Sequence, residues 1–166
     1  AGRADSGAAR LMHPRAVELI DLLQLQAHPE GGYYRRLYES SECLPSGRLL
    51  ASAIVFLLPA GQASRWHRVD ADELWHFYEG APLELLIADT PAAIERQLLG
   101  PVAAQMLPQR LVRAQAWQAA RTQGDFSLVG CSLAPGFEFA GFALLADEPQ
   151  AQRDWPLLAA QYPELV

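Results

Sequence analysis

The chain contains no lysine and no asparagine, and its 166 residues include only two cysteines and four histidines. The absence of lysine excludes Schiff-base catalysis through a lysine amine. The 13 basic residues are all arginines, and they are scattered along a chain of net charge −6. Because no basic cluster is present, we expect no nucleic-acid partner. Cys43 and Cys131 have no CxxC spacing, so we assign them no role beyond that of reduced side chains.

Long hydrophobic runs are also missing. The longest one, around residues 54–58, is far shorter than the roughly 18 residues of a membrane span. Residues 1–10 lack the apolar stretch of a secretory signal. We therefore predict a cytoplasmic protein without a membrane partner. An apolar content of 51% is enough for one compact core, so we predict a single domain over residues 13–166 after a disordered tail of residues 1–12.

The local patterns predict an all-β protein with a helix at each end. Pro14 and apolar residues at helical spacing predict an N-terminal helix over residues 14–25. The chain then changes to short runs rich in aromatic and branched residues, separated by Gly, Pro and Asp at intervals of about 8 to 12 residues. We therefore expect residues 30–146 to form an antiparallel jelly-roll barrel. A short C-terminal helix is predicted over residues 157–161, after Pro156.

Residues 61–80, GQASRWHRVDADELWHFYEG, carry the most informative spacing. Gly61, His67, Glu73 and Gly80 resemble the first cupin motif, which is glycine, five residues, His, one residue, His, three or four residues, Glu, six residues, glycine. Residues two apart on a strand share a face, and a short turn brings an acid on the next strand beside them. Val69 stands where the second histidine ligand of the motif would be, so the metal site of a cupin is incomplete here.

The second cupin motif is incomplete as well. Its glycine and its proline-glycine turn are recognisable in residues 130–142, GCSLAPGFEFAGF, but the chain has no histidine after His76. Of the usual ligands only His67 and Glu73 remain, and two are too few for zinc, iron or manganese. We therefore expect no cofactor. The alternative is a divalent transition metal held by His67, Glu73 and Glu138.

Three segments together make the resemblance narrower. HPEGGYYRR, SRWHRVDADELWHFYEG and APGFEF are similar to segments of the cupin-5 group, a family first described as a domain of unknown function. This resemblance implies a jelly-roll barrel similar to that of the deoxysugar-nucleotide 3,5-epimerases and commonly a dimer, without an established reaction. The family often has an acid after its Tyr-Tyr-Arg run, where this chain has Arg36, so no role of that acid carries over.

The motif implies that His67 and Glu73 face a common pocket. We predict them as a catalytic acid/base pair, because imidazole titrates near neutrality and a carboxylate can fix its tautomer. Strand alternation puts Trp75 and Phe77 on the same face as Glu73, so both are expected to wall the pocket and contact the ligand. By the same alternation His76 points away, toward the opposite face or a subunit contact.

Further ligand-binding candidates lie outside this pair. Glu30 and Tyr33 are expected at the barrel mouth, and Arg65 shares a strand face with His67. The alternative for the first strand is an edge that pairs with a second subunit, and for this reason we predict a homodimer. Trp117 either lines the pocket or fills the base of the barrel.

Three functions fit these residues. The first is a metal-independent cupin that binds a small polar or sugar-like molecule and acts as an epimerase or isomerase by proton transfer. The second is a metal-dependent cupin enzyme, an oxygenase or an isomerase. The third is a non-catalytic, ligand-sensing dimer whose pocket is filled by side chains. Metal analysis separates the first two, and a filled pocket would favour the third.

Overall fold

The structure is a computed structural model that describes residues 11–166. Most of the predicted disordered tail therefore lies outside the described residues. These described residues form twelve strands and three α-helices. The strands are β1 (Gln26–Ala27), β2 (Tyr33–Glu39), β3 (Ser52–Pro59), β4 (Ala63–Val69), β5 (Asp72–Gly80), β6 (Leu83–Thr90), β7 (Ala93–Leu99), β8 (Met106–Leu107), β9 (Gln109–Val112), β10 (Trp117–Thr122), β11 (Phe126–Ala134) and β12 (Phe142–Leu144). The helices are α1 (Pro14–Leu23), α2 (Pro149–Asp154) and α3 (Pro156–Gln161).

The strands form two sheets of six, in the orders β1-β2-β3-β11-β5-β9 and β12-β4-β10-β6-β7-β8. All neighbours are antiparallel except β7 and β8. This confirms the predicted jelly roll. Among residues 11–166 no strand pair joins the two sheets, so the jelly roll is a two-sheet sandwich rather than a closed barrel.

The main core lies between the sheets and fills one part of that space. The cluster that we call the packed half consists of inward side chains from both sheets that pack against one another. Its buried residues are Phe56, Leu58, Trp75, Leu83, Leu85, Ile87, Leu99, Val112, Ala116, Ala120, Val129 and Cys131.

Helices cover the outer faces of the two sheets. The predicted N-terminal helix is confirmed as α1, which starts with Pro14 and buries Ala16 and Leu19 against Leu57 and Phe126 on the first sheet. The predicted C-terminal helix is α3, and it is joined by α2, which the sequence patterns did not indicate. Together these two helices cover the outer face of β4 and β10.

Strand alternation on β4 sets up the site. The buried indole of Trp66 packs outward under the C-terminal helices, whereas His67 and Val69 line the space between the sheets. Residues 137–145 are only in part a strand, because a 3₁₀ turn at Phe139–Gly141 precedes β12. That turn carries Phe137, Phe139 and Phe142 over the open end of the sandwich. No helix within residues 11–166 is long and apolar enough to cross a membrane.

Candidate functional site

An open cavity of about 690 Å³ lies between the sheets beside the packed half. We call it the open cavity. Its polar and charged lining residues are Gln26, His28, Glu30, Arg35, Arg36, Ser52, His67, Glu73 and Glu138. Its other lining residues are Tyr34, Ile54, Val69, Cys131, Leu133, Phe137, Phe139 and Phe142. A cavity of this volume accommodates a small organic molecule.

His67 is a neutral imidazole whose tautomer is fixed by its neighbours. Its Nδ1 lies 2.7 Å from the backbone oxygen of Arg65 and 3.1 Å from Oε2 of Glu30. Because a carbonyl oxygen only accepts, Nδ1 carries the proton and Nε2 carries the lone pair. Burial lowers the pKa of His67, which favours this neutral form. Across residues 11–166 no donor is hydrogen-bonded to Nε2, so it remains a basic nitrogen.

Glu30 reaches His67 because two glycines follow it. Gly31 has φ +112°, and a Cβ there would lie 2.0 Å from the backbone oxygen of Ala63. The loop can therefore lie directly against β4, where the Arg65 amide donates to the Glu30 backbone oxygen at 3.0 Å. The side chain of Glu30 is buried and accepts a hydrogen bond from Ser64 Oγ at 2.8 Å. Burial raises the pKa of Glu30.

His28 is a second histidine in the same cluster. Its Nδ1 accepts a hydrogen bond from the Glu30 amide at 3.2 Å and lies 3.8 Å from Oε1 of Glu30. The proton of the neutral ring is therefore on Nε2, the reverse of the tautomer of His67. Tyr34 packs edge-on against the ring at 4.6 Å between centroids. Burial lowers the pKa of His28, which favours its neutral ring. In their neutral forms, His28 offers its Nε2–H as a donor and His67 offers its Nε2 as an acceptor.

Glu73 is held by a chain of hydrogen bonds that starts in the packed half. The indole Nε1 of Trp75 donates to Oε1 of Gln118 at 2.9 Å, and Nε2 of Gln118 donates to Oε2 of Glu73 at 2.6 Å. The indole thus fixes the amide orientation, and the amide fixes the carboxyl group. Burial raises the pKa of Glu73, and burial also raises the pKa of the Cys131 thiol that is hydrogen-bonded to it. Cys131 is therefore protonated and unreactive as a nucleophile.

The donor set does not fit a resident transition metal. Val69 lines the open cavity with an alkyl group where a cupin has its second histidine. The Glu138 carboxylate is half exposed, and its Oε2 lies 4.0 Å from Nε of Arg48. Nowhere in residues 11–166 are three His, Cys, Asp or Glu side chains arranged to hold a metal ion. The expected absence of a cofactor stays a prediction.

The structure brings four of the sequence candidates to the open cavity. His67, Glu73 and Glu30 are buried together in its polar part, and Glu138 lies at its edge. The contacts differ from those expected, because the carboxylate next to the His67 ring belongs to Glu30. Glu73 interacts with His67 only through space, by its charge.

Two aromatic residues that were expected to wall the cavity, Trp75 and Phe77, pack in or against the packed half instead. Trp75 faces inward as predicted but belongs to the packed half, at 6.1 Å from the ring of Phe56. Phe77 packs against the same cluster and does not line the open cavity. Alternation fixes which face of a sheet a residue occupies, and it leaves open how far along the sandwich that residue lies.

The remaining three candidates, Tyr33, Arg65 and Trp117, do not line the open cavity. Tyr33 packs under α1, and its neighbour Tyr34 lines the cavity, because the positive φ angles of the two preceding glycines change the direction in which β2 starts. Arg65 points to a separate cleft, with its Nη2 donating to the backbone oxygen of Pro29 at 3.1 Å. Trp117 is buried under the C-terminal helices on the outer face of its sheet.

Sequence reasoning missed several residues of the site. His28 had a usable signal, since it stands two residues before Glu30 in the HPEGG segment. Gln118 had none, because a glutamine inside an alternating strand gives no sign of its partners. The aromatic cover formed by Phe137, Phe139 and Phe142 depends on a 3₁₀ turn that reads as a strand.

The sandwich and its cavity define a cupin fold. The structure resembles that of oxalate decarboxylase from Bacillus subtilis with a TM-score of 0.58 and 14% identity, over 82% of this chain and 34% of that one. At this identity the likeness shows the fold alone. No curated protein matches the chain.

The family follows from closer matches. Residues 17–145 match Cupin_5, described as cupin superfamily (DUF985), and the chain belongs to this family. Protein SO0799 of Shewanella oneidensis is 36% identical, with a TM-score of 0.81 over 89% of this chain and 94% of that chain. A hypothetical protein from Leishmania major is 30% identical, with a TM-score of 0.72 over 90% and 93% of the two chains. The predicted resemblance to the cupin-5 group is thereby confirmed.

Proposed function

We propose that the protein binds a small polar organic molecule in the open cavity and exchanges a proton with it through His67, without a resident metal. The observation that carries the proposal is the state of His67. Its Nδ1 is engaged by the Arg65 carbonyl and by Glu30, its Nε2 is basic, and it lies beside two buried carboxyl groups in a cavity of about 690 Å³.

The three titratable groups have complementary roles in proton transfer. A neutral imidazole can remove a proton from an acidic C–H or O–H of the ligand, and the adjacent Glu30 stabilises the imidazolium that forms. Burial raises the pKa of Glu73, which favours the protonated form that can return a proton to the ligand. Removal and return of a proton at carbon is the chemistry of an epimerase or isomerase.

The lining supports a hydroxylated, sugar-like or ring-bearing ligand. Hydrogen-bonding groups from His28, His67 and Glu73 lie in the buried part, and Phe137 and Phe142 provide apolar surface above them. Such a combination of apolar walls and a few placed polar groups is typical of small-molecule sites. The cavity is open, whereas the alternative of a non-catalytic, ligand-sensing dimer was expected to have a pocket filled by side chains.

The test uses a panel of small hydroxy and carbonyl compounds, screened by ligand-observed NMR in D₂O. His67→Gln removes the basic nitrogen while keeping a polar side chain of similar size. We expect binding of the panel's hits to weaken about tenfold or more, since a hydrogen bond to a buried polar group is lost. His76→Gln is the matched control, because His76 bonds to Ser132 and Gln109 and does not line the open cavity.

Deuterium incorporation into a bound compound reports catalysis directly. Exchange that requires His67 and Glu73 supports the proposal. Binding without any exchange would contradict the proton-transfer role and favour a ligand sensor, and equal binding by wild type and His67→Gln would contradict the site itself.

We also propose that the protein is a homodimer through the edge of β2. Strand β1 pairs only with Tyr33 and Tyr34, so the rest of β2 has one unpaired edge. Leu37 and Tyr38 on this segment are 56% and 54% exposed. Light scattering should give about twice the chain mass of 18.2 kDa. A mass equal to that of one chain at micromolar concentration would contradict the dimer.

A further inference from the structure

The open cavity has two adjacent arginines at its edge, Arg35 and Arg36 on β2. Neighbours on a regular strand face opposite sides. The guanidinium of Arg36 lies beside Phe137 at the cavity edge, whereas that of Arg35 lies toward the end of α1. Arg36 is therefore the cation whose guanidinium faces the cavity.

Neither guanidinium is paired with a carboxylate of the cavity. Nη1 of Arg35 donates to the uncharged backbone oxygen of Leu23 at 3.2 Å. Nη1 of Arg36 is paired at 2.8 Å with Glu39, an exposed residue outside the cavity, and its Nη2 reaches the Phe137 oxygen at 3.5 Å. An exposed pair of this kind contributes little, so an incoming anion can compete for the guanidinium.

One acid, Glu138, lies at the same edge. Its Oε2 is 4.0 Å from Nε of Arg48, whose Nη1 and Nη2 are hydrogen-bonded to Asp70. Arg36 is also positioned by an aromatic contact, since its guanidinium carbon lies 5.7 Å from the centre of the Phe137 ring. The edge of the cavity therefore offers planar, positioned donors next to an aromatic wall.

The buried part of the cavity has the opposite character. Glu30, His67 and Glu73 are at most 6% exposed, and groups buried this deeply favour uncharged partners that exchange hydrogen bonds with them. Two aromatic rings connect the two parts, because Phe142 lies 5.6 Å from the His67 ring and 5.9 Å from Phe137, the ring that Arg36 contacts. Along its length the cavity thus changes from hydroxyl-binding to apolar to cationic.

We propose that the ligand of the open cavity is a small organic anion, with its carboxylate or phosphate monoester held by Arg36. Its ring or alkyl body packs on Phe137 and Phe142, and its hydroxyl or carbonyl group reaches His67. The proposal rests on the proposed function, because it describes the ligand of the same site. Arg36 is the specificity-determining residue, since its planar fork binds carboxylates and phosphates with two parallel hydrogen bonds.

The test compares charged and uncharged versions of the same compounds. The panel consists of small hydroxyaryl carboxylates and phosphate monoesters, each measured beside its amide or its alcohol, by ligand-observed NMR and calorimetry. Wild type should bind the anions about tenfold or more tighter than their uncharged partners, the effect of one charge-assisted hydrogen bond. Raising the salt concentration should weaken only the anions. Comparing the affinities of the carboxylates with those of the phosphate monoesters identifies which of the two groups Arg36 prefers.

Single-residue variants identify which residue causes the preference for anions. Arg36→Gln should bring the affinity of an anion to within about twofold of its uncharged partner, and Arg36→Lys should restore part of the difference. Arg153→Gln is the matched control, because it removes the same charge from an exposed position on α2 and should change nothing. His67→Gln should weaken anions and uncharged compounds alike.

The outcomes separate the two proposals. If uncharged compounds bind wild type as tightly as anions, or if Arg36→Gln keeps the preference, the anion site is overturned while the proposed function stands. If no compound of either kind binds wild type, both proposals are contradicted.

Discussion

The packed half and the open cavity share the same strands but differ in what those strands bury. On β5 the inward residues are Glu73 and, two positions later, Trp75. The first lines a cavity and the second fills a core, and Gln118 connects them by two hydrogen bonds. The comparison shows that one sandwich can support a polar site without disrupting its core, because the core itself orients the polar groups.

The two regions also differ in what holds them together. The packed half is stabilised by apolar area removed from water. Four titratable side chains are buried at the open cavity, those of His28, Glu30, His67 and Glu73. Hydrogen bonds to Ser64, Gln118 and the backbone compensate for their burial. Stability should therefore depend on the packed half, and ligand recognition on the open cavity.

The largest expected effect compares one leucine from each region. Leu85→Ala in the packed half should lower the free energy of unfolding by about 3–5 kcal/mol, because a fully enclosed void forms. Leu133→Ala should cost about 2 kcal/mol, since Leu133 already borders open space. Urea denaturation of both variants measures the difference. Equal losses would show that the open cavity is not open in solution.

The next effect is on the pH dependence of stability, and it concerns Glu73. Burial raises the pKa of Glu73 above its ordinary value of 4.5, so the folded chain binds more protons than the unfolded chain above that pH. The free energy of unfolding therefore falls as the pH rises from 4.5 toward the raised pKa, by at most about 1.4 kcal/mol per pH unit for one proton. Glu73→Gln should make this decline less steep.

Buried His67 changes stability with pH in the opposite sense. Burial lowers the pKa of His67 below 6.5, so the unfolded chain binds more protons and stability is lost as the pH falls below that value. Because the charge of Glu73 raises the pKa of His67, Glu73→Gln should lower that pKa further and deepen this acid-side loss. Glu42→Gln, at an exposed position, is the matched control and should change neither limb. An unchanged decline in Glu73→Gln would contradict the burial of an ionisable carboxyl group at this position.

Some features of the two regions could be predicted from local sequence patterns, whereas others depend on contacts between residues that are far apart in the sequence. The strand rhythm predicts the jelly roll from local periodicity. The resemblance of the spacing from Gly61 to Gly80 to the cupin motif implies that His67 and Glu73 face one cavity. The boundary between the packed half and the cavity depends on contacts between distant segments. No local pattern distinguishes Trp75 as core from Trp75 as cavity wall.

The carboxylate next to His67 illustrates the same limit. Glu73 is the motif residue, yet Glu30 makes the contact, because Gly31 allows a loop more than thirty residues earlier to lie against β4. Glu30 was expected at the barrel mouth and lies buried at the open cavity, and its contact with His67 could be identified only from the three-dimensional path of that loop.

A smaller effect is expected on the outer face of the first sheet. His76→Ala should lower stability or dimer affinity by about 1 kcal/mol, since it removes contacts of His76 with Ser132 and Gln109. Ligand affinity should not change. Denaturation and light scattering measure the first two quantities, and weaker ligand binding by His76→Ala would contradict the separation of the two faces.

The smallest expected effect is that of metal removal. Since Val69 replaces a ligand histidine, elemental analysis should find well below one transition metal per chain, and dialysis against a chelator should leave the Tm unchanged. About one metal per chain, together with loss of ligand binding after chelation, would favour the metal-dependent enzyme instead.

The most direct test of the central claim is an NMR map of where a compound binds. Backbone and indole resonances of wild type are followed while the tightest member of the panel is titrated. We predict chemical-shift changes at His67, Val69 and Leu133, which line the open cavity. We predict none at Trp66 or Trp117, which lie under the C-terminal helices. Shifts confined to the outer faces, with His67 and Leu133 unchanged, would contradict it.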